Sequence, residues 1–281
     1  MTDEHSPVRL WSDLTTLDAE AFAAGDAVVV LPLAAIEQHG PHLPLSTDLV
    51  IEEGILRAAF NVLDPATPVA SLPVQAVGTS AEHERFGGTV SLSPETLVSL
   101  ICEIGASLAR AGVRRLVVSN SHGGNRASID TAGLWLRRKL GMLVVKAHSF
   151  RFPPPADTPL PDSEWTHGLH GGAVETSMML HLRPDLVRAD RIASFASFGQ
   201  ELEKTLTHVR PEGPAPFAWS AEDLGRAGVV GDATLADAGI GARLVSHYGR
   251  YLAEVIQDAH RFPIERLRHD DEADQAAPGA P

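Results

Sequence analysis

The sequence predicts an α/β fold, a three-layer α/β/α sandwich around a mainly parallel sheet. Three observations carry that prediction. Short apolar runs alternate with stretches of helical spacing, each link between runs is long enough to hold a helix, and the polar clusters fall just after the runs. Parallel strands need long crossovers, commonly helices, and such sheets gather their ligands beyond the carboxyl ends of the strands.

In chain order, Ala27 to Pro32 reads as a buried strand, an unbroken apolar run rich in valine. Asp48 to Val62 has helical spacing, with apolar Leu49, Val50, Ile55, Leu56 and Ala59. Ser93-Pro94-Glu95 opens a second helix with a hydroxyl cap and a proline in its first turn, running towards Ala111-Gly112. Leu116 to Ser119 is a short strand, after which His122-Gly123-Gly124-Asn125 leads into a third helix ending at Leu140-Gly141. Met142 to Lys146 is the next strand. Pro153 to Pro161 is too rigid and irregular for an element and is expected as an excursion over one sheet edge, able to serve as a lid. Helical spacing returns from Val174 and from Leu235 to Ile256. Arg268 to Pro281 is polar and rich in proline and alanine, so the expectation is one domain over residues 1–268 and a disordered tail over 269–281.

Composition narrows the function. With 44% hydrophobic and 21% charged residues in 281, the chain has the makeup of a folded globular protein. Its 23 basic and 36 acidic residues give a net charge of -13, which opposes binding to nucleic acid or to an anionic membrane. No run reaches membrane-spanning length, and the N-terminus has neither the basic nor the apolar segment of a signal peptide; a cytoplasmic protein is expected. The single cysteine, Cys102, excludes an internal disulfide and reads as a buried helix residue.

The polar clusters supply candidate chemistry. In extended chain, residues two apart project to one side, so Glu37 and His39 can address one site, and the stiff Gly40-Pro41-His42-Leu43-Pro44 can return Asp48 to it. This mixed oxygen and nitrogen set suits Zn, Mn or Fe rather than Ca. The alternative is a helix-capping Asp48 with satisfied loop histidines. His122 follows a strand in the same way, and Glu175, in His170-Gly171-Gly172-Ala173-Val174-Glu175, opens an apolar helix, where a carboxylate is also simply favourable. Three such loops at strand ends are better explained by a shared metal site. Nucleotide binding has little support, since no Gly-x-Gly-x-x-Gly follows the first strand and no Walker-type lysine is present.

The stretches "LPLAAIEQHGPHLPLSTD", "GTSAEHERFGGTVSL", "SNSHGGN", "HGGAVETSMML" and "SAEDLGRAGVVGDATLADAGIG" together resemble the creatininase (creatinine amidohydrolase) family over nearly the whole chain. The resemblance implies an α/β sandwich, a homo-oligomer (a hexamer in creatininase itself), and hydrolysis of amide-type C–N bonds in a small molecule, non-peptide or cyclic amides first, by water activated between two divalent metals. It implies Glu37, His39, Asp48 and His122 as metal ligands. Creatininase proper carries a ligand glutamate where this chain has Gly124; here Glu175 is the natural replacement. Asp48 would then bridge the metals, with Glu37 and His122 completing one site and His39 and Glu175 the other. His170 matches the family's proton-transfer histidine, the rival role being to orient Glu175. Deformylase and mycofactocin-maturation peptidase branches share the glycine-rich version. They stand as alternatives, beside a non-catalytic metal-binding or small-ligand-binding protein.

Overall fold

In the computed structural model, which describes residues 8–267, four parallel strands form the central sheet in the order β2-β1-β3-β4. They are β1 (Val28–Leu33), β2 (Val69–Ser71), β3 (Arg115–Asn120) and β4 (Leu143–His148). Side chains alternate across a strand, so each strand feeds two cores. Val28, Val30 and Val117 face one core, while Val29, Leu31, Leu33, Leu116 and Val118 face the other. Every residue of β1 and β3 is buried, which explains why β1 and residues 116–118 of β3 read as continuous apolar runs rather than alternating ones.

Helices cover both faces. On one side lie α2 (Thr47–Val62), α6 (Ala173–Leu182) and the long α9 (Ala238–Arg261), packed on one another through Ile51, Ile55, Met179, Leu244 and Leu252. On the other lie α3 (Pro94–Arg110) and α4 (Arg126–Leu140), with Leu97, Ile101, Ile129 and Leu136 at their contact with the sheet; α1 (Thr16–Ala24) adds Ala23. The chain therefore forms the expected three layers. The helix ends follow the sequence: the Ser93 hydroxyl accepts the Thr96 amide at 3.2 Å before Pro94, and Gly141 closes α4 at φ +63°.

The short elements depart from expectation. Neither α1 nor the three-residue β2 was legible, and a small antiparallel pair, β5 (Ser194–Phe195) with β6 (Gly231–Asp232), joins segments distant in sequence. Between them come α7 (Phe198–Glu203) and α8 (Ala221–Leu224), while α5 (Asp162–His167) precedes α6. The helix anticipated from Leu235 begins at Ala238, where Asp237 caps the amides of Gly239 and Ile240, and runs on to Arg261. The proline-rich stretch is irregular and does leave from β4, an edge strand. The predicted tail, 269–281, lies outside the described residues. Cys102 is buried in α3, and burial pushes its thiol up to about 11, in keeping with a packing role. No helix among the described residues is long and apolar enough to cross a membrane.

The topology positions the site. From β1 the chain first winds to β2 on one side, then reaches β3 on the other; α2 leaves β1 over one face and α4 leaves β3 over the opposite face. Such a switch in direction opens a crevice between two carboxyl ends. Register pairs Leu33 with Asn120, so the segments following β1 and β3 emerge side by side.

Candidate metal centre

Glu37 and His39 sit on the turn that leaves β1, Asp48 on the first turn of α2, His122 just past β3, and Glu175 on the first turn of α6. All but Glu175 are almost wholly buried. Their donor atoms form two groups that share Asp48, Glu37–Asp48–His122 and His39–Asp48–Glu175, each with its atoms within 4.8 Å of one another. His122 Nδ1 lies 3.3 Å from Glu37 Oε1 and 3.4 Å from Asp48 Oδ2. His39 Nε2 lies 3.6 Å from Asp48 Oδ1 and 3.8 Å from Glu175 Oε2. The two oxygens of Asp48 thus face different histidines.

Each imidazole is held by its other nitrogen. His122 Nε2 donates to the Thr79 carbonyl at 2.7 Å, and His39 Nδ1 to the Glu37 carbonyl at 3.2 Å, which leaves Nδ1 and Nε2 respectively for the site. A backbone acceptor behind a histidine is the usual way to fix a ligand's tautomer and ring plane. The donor set fits a divalent cation on a second count. Glu37 Oε2, His39 Nε2 and Asp48 Oδ2 are buried without a hydrogen-bond partner, although an unsatisfied buried polar atom costs about 1–3 kcal/mol.

Electrostatics follow from this crowding. Burial pulls His39 down, but Asp48, Glu175 and Glu37 outweigh it and raise the imidazole to about 9. His122 is likewise held well above its ordinary value, against its burial, by Glu37 and Asp48. Asp48 is held far below the carboxylate range, despite burial, by His39 and His122. Burial raises Glu175.

The alternative roles resolve residue by residue. Asp48 is not a cap: the N-cap of α2 is Ser46, and the Asp48 carboxylate points at the histidines. His42 is the loop histidine turned away from the site: its Nε2 lies 3.0 Å from both the Gly171 carbonyl and Thr176 Oγ1, while its Nδ1 is buried without a hydrogen-bond partner. Glu175 combines both readings, since Oε2 accepts the Gly171 amide at 2.6 Å and also faces His39. Gly124 has no room for a side chain, because a Cβ there would lie 2.3 Å from the Thr79 carbonyl oxygen and 2.5 Å from His122 Nε2.

His170 sits beside the site. Its Nε2 donates to the Gln38 carbonyl at 2.7 Å, so Nδ1 carries the lone pair, 3.8 Å from Glu37 Oε1. Burial, reinforced by the charge on His39, lowers it to about 4 and keeps it neutral. It lies against Glu37 rather than Glu175. Its ring stacks on that of His83, at 4.3 Å, and lies tilted by 37° against that of His39, at 4.1 Å.

His83 is thereby a wall of the site. Gln38 Nε2 donates to His83 Nδ1 at 2.8 Å and to the Gly228 carbonyl at 2.6 Å, which directs His83 Nε2 to Glu37 Oε1 at 3.3 Å. Sequence reasoning missed Gln38, although it stands between the two ligands of the first motif. It missed Glu164 as well, whose buried carboxylate accepts the amides of Ala173 and Asp232 and so fastens the start of α6 to β6. A cavity of about 440 Å³ lies over the donors, lined by Glu82, His83, Trp165 and Trp219 among others. Phe150 and Arg151 line it from the segment after β4.

Comparison with known proteins identifies the family and the fold. The family model for creatininase, described as creatinine amidohydrolase, matches residues 12–256. A mycofactocin precursor peptide peptidase of Mycobacterium tuberculosis is 33% identical over 249 residues, 85% of this chain and 88% of its own length. A creatinine amidohydrolase of Pseudomonas putida is 34% identical over 192 residues, 64% of this chain and 74% of its own. Among solved structures, a creatinine amidohydrolase (creatininase) superposes with a TM-score of 0.73 at 28% identity, covering 92% of this chain and 99% of that one. A structure described as creatininase Mn gives 0.72 at 28% identity, covering 92% and 100%.

Proposed function

Because the chain belongs to the creatininase family and is a metal-dependent hydrolase, we propose that it cleaves an amide C–N bond with water activated between two divalent cations. The observation that carries this reading is the shared aspartate. Asp48 turns Oδ1 to the His39–Glu175 pair and Oδ2 to the Glu37–His122 pair, an arrangement suited to two adjacent cations. Zn, Mn or Fe would be held by Glu37, Asp48 and His122 on one side and by His39, Asp48 and Glu175 on the other. Such cations supply Lewis acidity, which makes water a nucleophile near neutral pH and polarises a carbonyl.

The chain's own groups do the rest. Thr79 and Glu37 carbonyls hold the ligand imidazoles in one tautomer. His170, neutral and with Nδ1 unprotonated beside Glu37, accepts a proton from the attacking water and returns it to the departing nitrogen. Contact with His39 and stacking on His83 restrict the plane of that ring.

A non-peptide or cyclic amide is the first reading of the scissile bond. A peptide bond is the second, favoured by the 33% relative named as a peptide peptidase and by a cavity of about 440 Å³, in the range that takes drug-sized molecules. The test is metal analysis of the purified protein with a turnover screen of cyclic amides, formamides and short peptides, read by product mass. Two metals per chain with hydrolysis are expected, and Asp48→Ala should lose both metals. Retention of both by that variant sinks the bridging assignment.

A further inference from the structure

Two arginines stand at the mouth of the cavity whose floor is the metal donors. Arg126 opens α4, four residues after His122, and Arg151 ends the three-ten turn Ser149–Arg151 that follows β4. Both converge on one carboxylate, Glu212, from the irregular segment ahead of α8. Arg126 grips it in bidentate fashion, Nη1 to Oε2 at 3.1 Å and Nη2 to Oε1 at 2.9 Å. Arg151 Nη2 reaches Oε2 only at 3.7 Å, beyond hydrogen-bond distance. Two cations against one anion leave a surplus positive charge at the entrance.

That surplus runs against its surroundings. The chain carries a net charge of -13, and the cavity interior presents Glu37, Asp48, Glu82, Glu164 and Glu175. An ion pair that served only to fasten the Glu212 segment would be complete with Arg126; the second guanidinium, its side chain 60% exposed, has donors to spare. A guanidinium fork matches a planar carboxylate, and Glu212 already displays that geometry on Arg126.

We infer that Arg126 and Arg151 form a subsite for a carboxylate carried by the substrate, so that the substrate class is a carboxylate-bearing amide. Glu212 is the built-in occupant, which positions the guanidinium groups and competes for them. The inference rests on the amide-hydrolase reading and specifies its substrate. An anionic group docked at the entrance leaves the neutral amide of the same molecule over the metal donors.

The test uses the zinc-loaded protein and matched alkyl hydroxamates, which chelate metal at one end and carry either a carboxylate or a carboxamide at the other, over a short series of tail lengths. Affinities are read by calorimetry as the carboxylate-to-carboxamide ratio. The unaltered protein should favour the best carboxylate tail by about 10-fold, a modest preference because the site is open to solvent. Arg151→Gln should bring the ratio close to one. Glu212→Gln, by removing the competing carboxylate, should raise it. A mere disturbance of the loop would move the ratio the same way in both variants. That result, or a ratio near one in the unaltered protein, overturns the inference while leaving the hydrolase reading intact. Failure of the metal-loaded protein to bind any hydroxamate would instead remove the hydrolase reading, and this inference with it.

Discussion

Loading the centre with metal must expel protons. An imidazole that ligates a cation has to be neutral at the donor nitrogen, yet His39 sits at about 9 and His122 well above its ordinary value, both raised by the carboxylates around them. At pH 7, about two units below its pKa, His39 is protonated by roughly 100 to 1, and His122 is shifted in the same direction. Stripping the protein with a chelator and titrating zinc back should therefore release about two protons per chain or more. Glu175, raised by burial, can add to that number and cannot subtract from it. The sign for affinity follows: protons compete with metal below the histidine pKa values, so binding tightens as pH rises, and the share that His39 contributes levels off as pH passes about 9. Where its histidine is protonated, each of the two sites gains about 10-fold per pH unit, one factor of ten for the one proton displaced there. Calorimetric titrations in buffers of different ionisation enthalpy count the protons directly. Release of less than one proton per chain at pH 7, or affinity flat between about pH 6 and pH 8, would refute the claim that these two histidines are the ligands.

Two further predictions test neighbours of the donors. His170→Ala should keep its metals and lose roughly 10²–10⁴ in rate, the usual share of a positioned acid or base, with less loss on substrates whose amine leaves unaided; recovery of activity by excess metal would show that the residue serves the ligands instead. Gly124→Ala forces a Cβ against the Thr79 carbonyl and His122 Nε2, so metal affinity at the His122 side should fall by about 10–100-fold, measured by competition with a fluorescent chelator; an unchanged affinity would mean that the Thr79 carbonyl does not set the His122 ring.

The parts of this protein legible in the sequence are those that local chemistry dictates. β1 and the middle of β3 announce themselves because both strands are buried on both faces, which leaves unbroken apolar runs at residues 28–33 and 116–118. The starts of α3 and α4 follow from Ser93-Pro94 and from the turn at His122-Gly123-Gly124. By contrast α1 buries only Ala23, so no periodic apolar face betrays it. β2 has three residues and is followed by Leu72 and Pro73, too short a run to separate from a loop. β5 and β6 have two residues each and exist only because Glu164 and the segment around His170 bring Val230 to Asp232 into place.

The same division holds inside the site. Glu37, His39, Asp48, His122 and Glu175 stand in compact motifs beside strand ends or helix starts, and two of the carboxylates, Asp48 and Glu175, occupy first helical turns, where the helix dipole favours negative charge. Spacing can expose such residues. It cannot expose His83, which reaches Glu37 only because Gln38 binds it across 45 residues while binding Gly228 across 190. Nor can it say which histidine is structural: His39 and His42 lie three apart in one loop, and only their partners, Asp48 for one and Gly171 for the other, divide them. What brings the motifs together is the strand order. With β1 and β3 adjacent and Leu33 level with Asn120, Glu37 and His122 need only the few residues beyond each strand to meet. Were another strand inserted between β1 and β3, their backbones would separate by a further strand spacing of about 4.8 Å. The 3.3 Å approach of His122 to Glu37 would then be lost without a single ligand having changed.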